Sequence, residues 1–450
     1  MTIRLPTDSA LLKKNFTFGV ATSSYQIEGA IHEGGRISSI WDTFCQKEGK
    51  VLNGESGEIA CDHYHRWQAD LELIESLGVD AYRFSIAWPR IIAEDGSVLE
   101  EGLIFYENII NTLNEKGIKP YVTLYHWDLP QHLEDRGGWL NRETAYHFAD
   151  YADVVCQRFG DRVHTYTTLN EPWCSAYMGY RFGLHAPGLT GNRFGFQAMH
   201  HLLLAHGLAL PKMRAAAPKA SHGIVLNMQP YYPLTDSKAD IEAAKFAEDE
   251  FNHFYAQPIL MGSYPESFAK AWPEDLPLIV PGDLEIISGK IDYMGINYYS
   301  RGVVKHQPDS YYEGAPAEEL FGGDVERTTM DWEVYPDGLT DLLVGLNDRY
   351  ELPPIYITEN GMASDDLIED GRVNDEQRVR YFDSHLNALD QSIRKGVNVA
   401  GYFAWSLMDN FEWAEGYSKR FGMVFVDYET QARTLKNSAV SYRQLLSERS

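Results

Sequence analysis

Residues 62–88 read DHYHRWQADLELIESLGVDAYRFSIAW, and this stretch decides the fold. Its first half sets Trp67, Leu71, Ile74 and Leu77 on one face at helical spacing, with Gly78 as the stop. Its second half, Ala81–Trp88, is a short aromatic and β-branched run of the kind that forms a strand. A helix that passes so quickly into a strand is one unit of an alternation, and the unit recurs. Phe105–Lys116 stops at Gly117 before Lys119–Trp127, Thr144–Phe159 at Gly160 before His164–Glu171, and Asp375–Lys395 at Gly396 before Val399–Leu407. Phe16–Ser23, Gly223–Met228, Ile291–Tyr299 and Pro354–Asn360 bring the strand candidates to eight. Helices between strands with short exits imply parallel pairing, because each crossover returns the chain to the same edge. Eight such units predict an α/β fold closed as a (β/α)8 TIM barrel. An open doubly wound sheet is the main rival, but it would carry a Gly-rich phosphate turn after an early strand. Neither GxGxxG nor a Walker A pattern occurs here.

A plain barrel needs ~250 residues, and this chain has 450. The surplus falls in the gaps Ser24–Asp80, Gln229–Lys290 and Ser300–Pro353, as long loops that would wall a deep pocket. No linker, low-complexity tract or charge block divides the sequence, so residues 1–450 are expected to form one barrel domain. Hydrophobic residues at 44% and charged residues at 23% exclude a disordered chain. A net charge of −26 without a basic patch argues against nucleic acid and anionic membrane surfaces as partners. Four cysteines, none spaced CxxC, signal no disulfide framework, zinc site or redox pair. The N-terminus lacks a secretory apolar stretch and no run reaches the ~18 apolar residues of a membrane span. The expected setting is cytoplasmic.

In a barrel the chemistry sits at the C-terminal ends of the strands. Those ends carry Gln26, Arg83, His126, Trp127, Asn170, Glu171, Asn297, Tyr299, Glu359 and Trp405. One guanidinium, two carboxylates, neutral hydrogen-bonding groups and aromatic plates form this set. An isolated Glu at a strand end reads as a salt bridge or a helix cap. Two of them, on the fourth and seventh strands with an Asn beside each, suit cleavage of a glycosidic bond, where one carboxyl protonates the leaving oxygen and the other attacks or activates water. Aromatics at 13% of the chain, with 28 Tyr and 10 Trp, suit an amphipathic partner such as a sugar ring. His63 with His65, and His200 with His201 and His206, lie in helical segments and read as solvated or core-capping. No metal and no cofactor is expected, and the GxSxG elbow of a serine hydrolase is absent.

The motifs FGVATSSYQIEGA, YRFSIAWPRI, YHWDLPQ, TLNEP, GINYY, YITENG and WSLMDNFEWAEGY resemble, in order, the pattern of glycoside hydrolase family 1, the β-glucosidase family. The resemblance runs from about Phe16 to Tyr428. It implies a retaining β-glycosidase acting on a small-molecule β-glucoside, with Glu171 as acid/base and Glu359 as nucleophile. Arg83 and Tyr299 resemble the arginine and tyrosine beside the nucleophile, and Asn297 is grouped with them. Gln26, His126, Asn170, Glu412 and Trp413 match residues around the glycone hydroxyls. Trp405 would be the floor under the ring and Trp127 a second wall, while Trp173, Met178 and Trp332 would lie on the aglycone side. The loop carrying DNFE between Trp405 and Trp413 is expected at the surface. One departure matters: members acting on 6-phosphorylated sugars carry a Ser, a Lys and a Tyr after the eighth strand. Here Glu412 and Phe421 stand at the Ser and Tyr positions and only Lys419 remains. A carboxylate at Glu412 would repel phosphate, so unphosphorylated glucosides are expected, with galactosides and fucosides alongside. A transglycosylase using the same groups, a non-catalytic sugar receptor on the same barrel, and a homo-oligomer are left open.

Overall fold

In a computed structural model, residues 2–308, 311–314 and 325–449 are described. The eight runs become strands β1 (Thr17–Ala21), β2 (Ala81–Ser85), β3 (Lys119–Tyr125), β4 (Thr165–Asn170), β5 (Ser221–Asn227), β6 (Tyr293–Asn297), β7 (Ile355–Asn360) and β8 (Val399–Trp405). Each strand pairs with its neighbours in sequence, all in parallel, and β1 closes the ring on β8 with Thr17 opposite Gly401 and Ala21 opposite Trp405. The expected barrel is present. The predicted strands overrun at several C-terminal ends, and the backbone explains two of them. Trp127 and Glu171 have left-handed φ values of 79° and 47°, which no ladder accommodates. The chain therefore turns out of the sheet at the residues that face the pocket.

The crossover helices follow as α1 (His63–Leu77), α2 (Glu100–Glu115), α3 (Glu143–Phe159), α4 (Asn192–Ala216), α5 (Phe254–Met261), α6 (Pro336–Arg349), α7 (Glu376–Arg394) and α8 (Asn437–Ser447). Gly78 ends α1 at φ +72°, the left-handed cap that glycine takes without penalty. The barrel interior is filled below the site by aromatic rings. Phe403 packs at a tilt against Tyr121 with centroids 4.9 Å apart, and Gly19 makes room for it: a Cβ there would lie 2.4 Å from the Phe403 ring. What lies above this plug can be a pocket.

The long gaps wall that pocket. Tyr231–Pro233 from the segment after β5 pairs with Gly302–Gln307 from the segment after β6, and Tyr311–Gly314 completes a small sheet. Residues 315–324 of the Ser300–Pro353 gap lie outside the described residues. The loop after β8 is tied from below by buried charge. Lys436 Nζ lies 2.5 Å from Asp366 and 2.6 Å from Asp409, and Arg378 bridges Asp366 and Asp375. Such a lattice is tolerable in the interior because each ion has an opposite partner. His200 is held between Asp283 and Tyr264 and His206 by Thr168, while His65 is exposed beside Asp62 and Glu33, in line with the structural reading of these histidines. Among the described residues no helix is long and apolar enough to cross a membrane, and no group of three His, Cys, Asp or Glu could hold a metal ion.

Candidate active site

A cavity of about 890 Å3 opens at the C-terminal end of the barrel, and Glu171 and Glu359 both line it. Glu171 follows β4 directly. Its amide still bonds Val225 O on β5 at 2.9 Å, while its left-handed backbone carries the side chain out of the ladder. Glu359 sits on β7 opposite Asn297 of β6, where the register slips between Ile357 and Glu359. A slip of this kind breaks strict alternation. Thr358 and Glu359, adjacent in sequence, can then both act on Asn297.

Each carboxyl has a distinct set of partners. Arg83 Nη1 donates to Glu359 Oε1 at 2.7 Å and Tyr299 OH donates to Oε2 at 2.7 Å. Glu171 receives Asn297 Nδ2–H at 2.7 Å on Oε1 and the Cys174 thiol at 3.1 Å on Oε2. Asn297 also donates to Asn170 Oδ1 at 3.1 Å, and Arg83 Nη2 reaches the same oxygen at 2.7 Å. Thr358 Oγ1 donates to Asn297 Oδ1 at 2.6 Å, which fixes which end of that amide faces Glu171.

Electrostatics separates the pair. Burial, and next the charge of Glu359, push the Glu171 carboxyl up to about 8. Burial raises Glu359 as well, but Arg83 foremost, then Tyr299 and Asn297, act against that rise. The ionised form is thus best supported on Glu359, and the proton shared by the pair resides on Glu171. Glu412, a third carboxyl in the cavity, is pushed up to about 8 by burial and by the charges of Glu359 and Glu171. His126 is held well below its ordinary range by burial and by Arg83, so its ring is neutral. Its Nε2 meets the Asn170 amide at 3.2 Å, leaving Nδ1 without a protein partner.

The Glycosyl hydrolase family 1 profile matches residues 8–450. The chain belongs to this family. It is 48% identical to β-glucosidase A of Thermotoga maritima, covering 96% of this chain and 97% of that one. It is 46% identical to a β-glucosidase of Agrobacterium sp., over 96% and 95% of the two chains. A bifunctional β-D-glucosidase/β-D-fucosidase of Bifidobacterium breve is 46% identical over 98% and 99%. Among solved structures, the Thermotoga maritima family 1 glycoside hydrolase complexed with a cyclophellitol analogue superposes with TM-score 0.94 at 46% identity, over 97% and 98% of the chains.

The other family positions fall in two layers. His126, Trp127, Asn297, Tyr299, Trp405, Glu412 and Trp413 line the cavity, as do Trp173, Met178 and Trp332. Gln26, Arg83 and Asn170 are buried and do not line it. Gln26 gives its amide to Phe411 O at 2.8 Å and Asn410 Oδ1 at 3.0 Å, and only a 3.4 Å contact to Glu412. The loop after β8 corrects one expectation. It is not at the surface, since Trp405 and Trp413 are each only 4% exposed. The His126 ring lies near-parallel to both indoles, 5.9 Å from each centroid, and Trp413 lies 4.5 Å from Trp127. Aromatic packing therefore shapes this wall of the cavity. Lys419 donates to Thr329 O at 2.7 Å, whereas Phe421 lines the cavity.

Several lining residues carried no signal in the sequence. Phe251, which meets Trp173 at 4.6 Å, comes from the long segment after β5, as does Tyr231, and Met228 stands directly at the end of β5. Thr358 and Cys174, which touch the carboxyl apparatus, were also missed. Their position next to Glu359 and three residues after Glu171 was the only available hint.

Proposed function

We propose that this chain is a retaining β-glucosidase, in which Glu359 attacks the anomeric carbon while Glu171 protonates the departing glycosidic oxygen. The observation that carries this is the asymmetry of the two carboxyls. Glu359 is braced as an anion by Arg83 and Tyr299, whereas Glu171 is pushed up to about 8 and keeps its proton near neutral pH. Attack forms a glycosyl ester on Glu359 and the aglycone leaves as its hydroxyl, bearing the proton from Glu171. Esterification removes the Glu359 charge, so Glu171 becomes a competent carboxylate. It then takes a proton from water as the water oxygen displaces Glu359 at the same carbon. Two inversions give net retention.

Recognition of the glycone follows from the cavity floor. Trp405 and Trp413 offer apolar planes to the pyranose face, and His126 and the Glu412 carboxyl, which line the same cavity, would serve its hydroxyl groups. Glu412 and Phe421 line the cavity and Lys419 is engaged by Thr329 O, which disfavours a phosphorylated glycone. The fucosidase activity named for the Bifidobacterium breve relative supports acceptance of β-fucosides. Trp173, Met178 and Trp332 form the apolar passage that the aglycone would occupy. The net charge of −26 and the four unpaired cysteines support a cytoplasmic enzyme without a nucleic-acid partner, and the single closed barrel supports one domain.

The test is rescue of a nucleophile deletion. Glu359→Gly should lose turnover of p-nitrophenyl β-D-glucoside, and added azide should restore it with α-glucosyl azide as product. Formation of the β-azide would exchange the roles and sink the proposal.

A further inference from the structure

The double displacement assigns no task to the thiol that touches its acid. Cys174 Sγ lies 3.1 Å from Glu171 Oε2, the oxygen that Asn297 leaves unoccupied. The contact is built by the backbone. A π-helical turn begins at Cys174 and runs to Arg181, and the amides of Cys174 and Ser175 both point at Glu171 O, at 3.0 and 3.4 Å. The residue that carries the thiol is thus anchored on the residue whose carboxyl it meets. Burial, and then Glu171, push the thiol well above the ordinary thiol range, so the group remains S–H. An S–H donates to a carboxylate, and its sulfur accepts weakly from a protonated acid, so one side chain serves both states of Glu171.

The charged and titratable groups facing Glu171 come from several elements. Glu359 on β7 and Glu412 on the loop after β8 disfavour a second negative charge, whereas Arg83 on β2 favours it. Tyr255 on α5 and Tyr299 after β6 stay neutral at working pH because burial raises both. Among the described residues, Asn297 and Cys174 are the side chains that hydrogen-bond the Glu171 carboxyl.

We propose that Cys174 is a positioning residue for the acid/base: its S–H steadies the Glu171 carboxylate formed when the aglycone departs, and so sets the upper pH limit of the first step. No covalent change occurs at sulfur. The proton travels from Glu171 to the glycosidic oxygen in the first step and returns from water in the second, while the thiol proton stays in place.

This inference rests on Glu171 being the acid/base, and the experiment separates the two. The pH dependence of kcat/KM on p-nitrophenyl β-D-glucoside is measured for the native protein and for Cys174→Ala, Cys174→Val, Cys174→Ser and Glu171→Gln. Loss of the donor in Ala and Val should move the alkaline limb upward by roughly half a pH unit, the size of a weak neutral hydrogen bond. The same variants should lower kcat on 2,4-dinitrophenyl β-D-glucoside, where water attack limits, by a few-fold, and Ser should restore both properties. Val keeps the volume filled if Ala does not fold. An alkaline limb that survives Glu171→Gln would overturn the assignment of the acid/base and the inference with it. A limb lost in Glu171→Gln but unmoved in Ala and Val would overturn the role of Cys174 alone.

Discussion

Replacing Tyr299 by Phe isolates one hydrogen bond to Glu359, the proposed nucleophile. The phenol donates to Glu359 Oε2 at 2.7 Å while Arg83 keeps Oε1, so the variant removes one of two braces and leaves the carboxylate paired. Phe preserves the ring, which packs against Trp332 at 5.4 Å and Phe421 at 6.1 Å, so the fold is kept and any loss of thermal stability comes from the missing hydrogen bond rather than from packing. A hydrogen bond to a charged group contributes about 1.5–3 kcal/mol, and about 1.4 kcal/mol corresponds to one pK unit. Because the donor favours the ionised form, its loss raises Glu359. The nucleophile must be ionised, so the acid limb of kcat/KM should move to higher pH by about one to two units. The alkaline limb belongs to Glu171, which burial and the Glu359 charge place at about 8, so the bell narrows from its acid side. The maximum rate should fall by roughly 10- to 100-fold, since the same bond also orients the attacking oxygen. Profiles of p-nitrophenyl β-D-glucoside hydrolysis for both proteins provide the assay. An acid limb left in place would show that Tyr299 does not support the charge on Glu359, and the asymmetry argument would fail.

Three further outcomes follow from the same geometry. Glu171→Ala should retain most activity on 2,4-dinitrophenyl glucoside in the first step and lose it on alkyl glucosides, because a good leaving group needs little protonation; equal losses on both would remove the acid role. Glu412→Ser takes away a carboxyl that lines the cavity and should raise KM for glucosides, whereas unchanged kinetics would place this residue outside the sugar site. Gly19→Ala puts a Cβ 2.4 Å from the Phe403 ring and 2.8 Å from Ala81 O, so overpacking should cost about 1–3 kcal/mol in denaturant unfolding. A variant as stable as the native chain would mean that the aromatic plug yields freely.

The sequence announces the barrel because its strands are buried on both faces and therefore read as short apolar runs between amphipathic helices, as at the consecutive Ile224, Val225 and Leu226, all with no exposed surface. It announces the two carboxyls because barrel geometry gathers strand ends that are far apart in the chain. It is silent wherever function depends on a departure from regular structure. Trp127, Glu171 and Trp413 adopt left-handed backbone conformations that no residue preference foretells, and each brings a side chain into the cavity. Strict alternation would point Thr358 and Glu359 to opposite faces, yet the slipped register lets one orient Asn297 while the other takes Arg83 and Tyr299. The aglycone wall is silent for another reason: Phe251 and Tyr231 lie on the long segment after β5, where Tyr231 is held by pairing with Gly302, so neither spacing nor periodicity marks them. Regularity thus encodes where the reaction occurs, while the irregular joints decide how its two acids are held apart in charge.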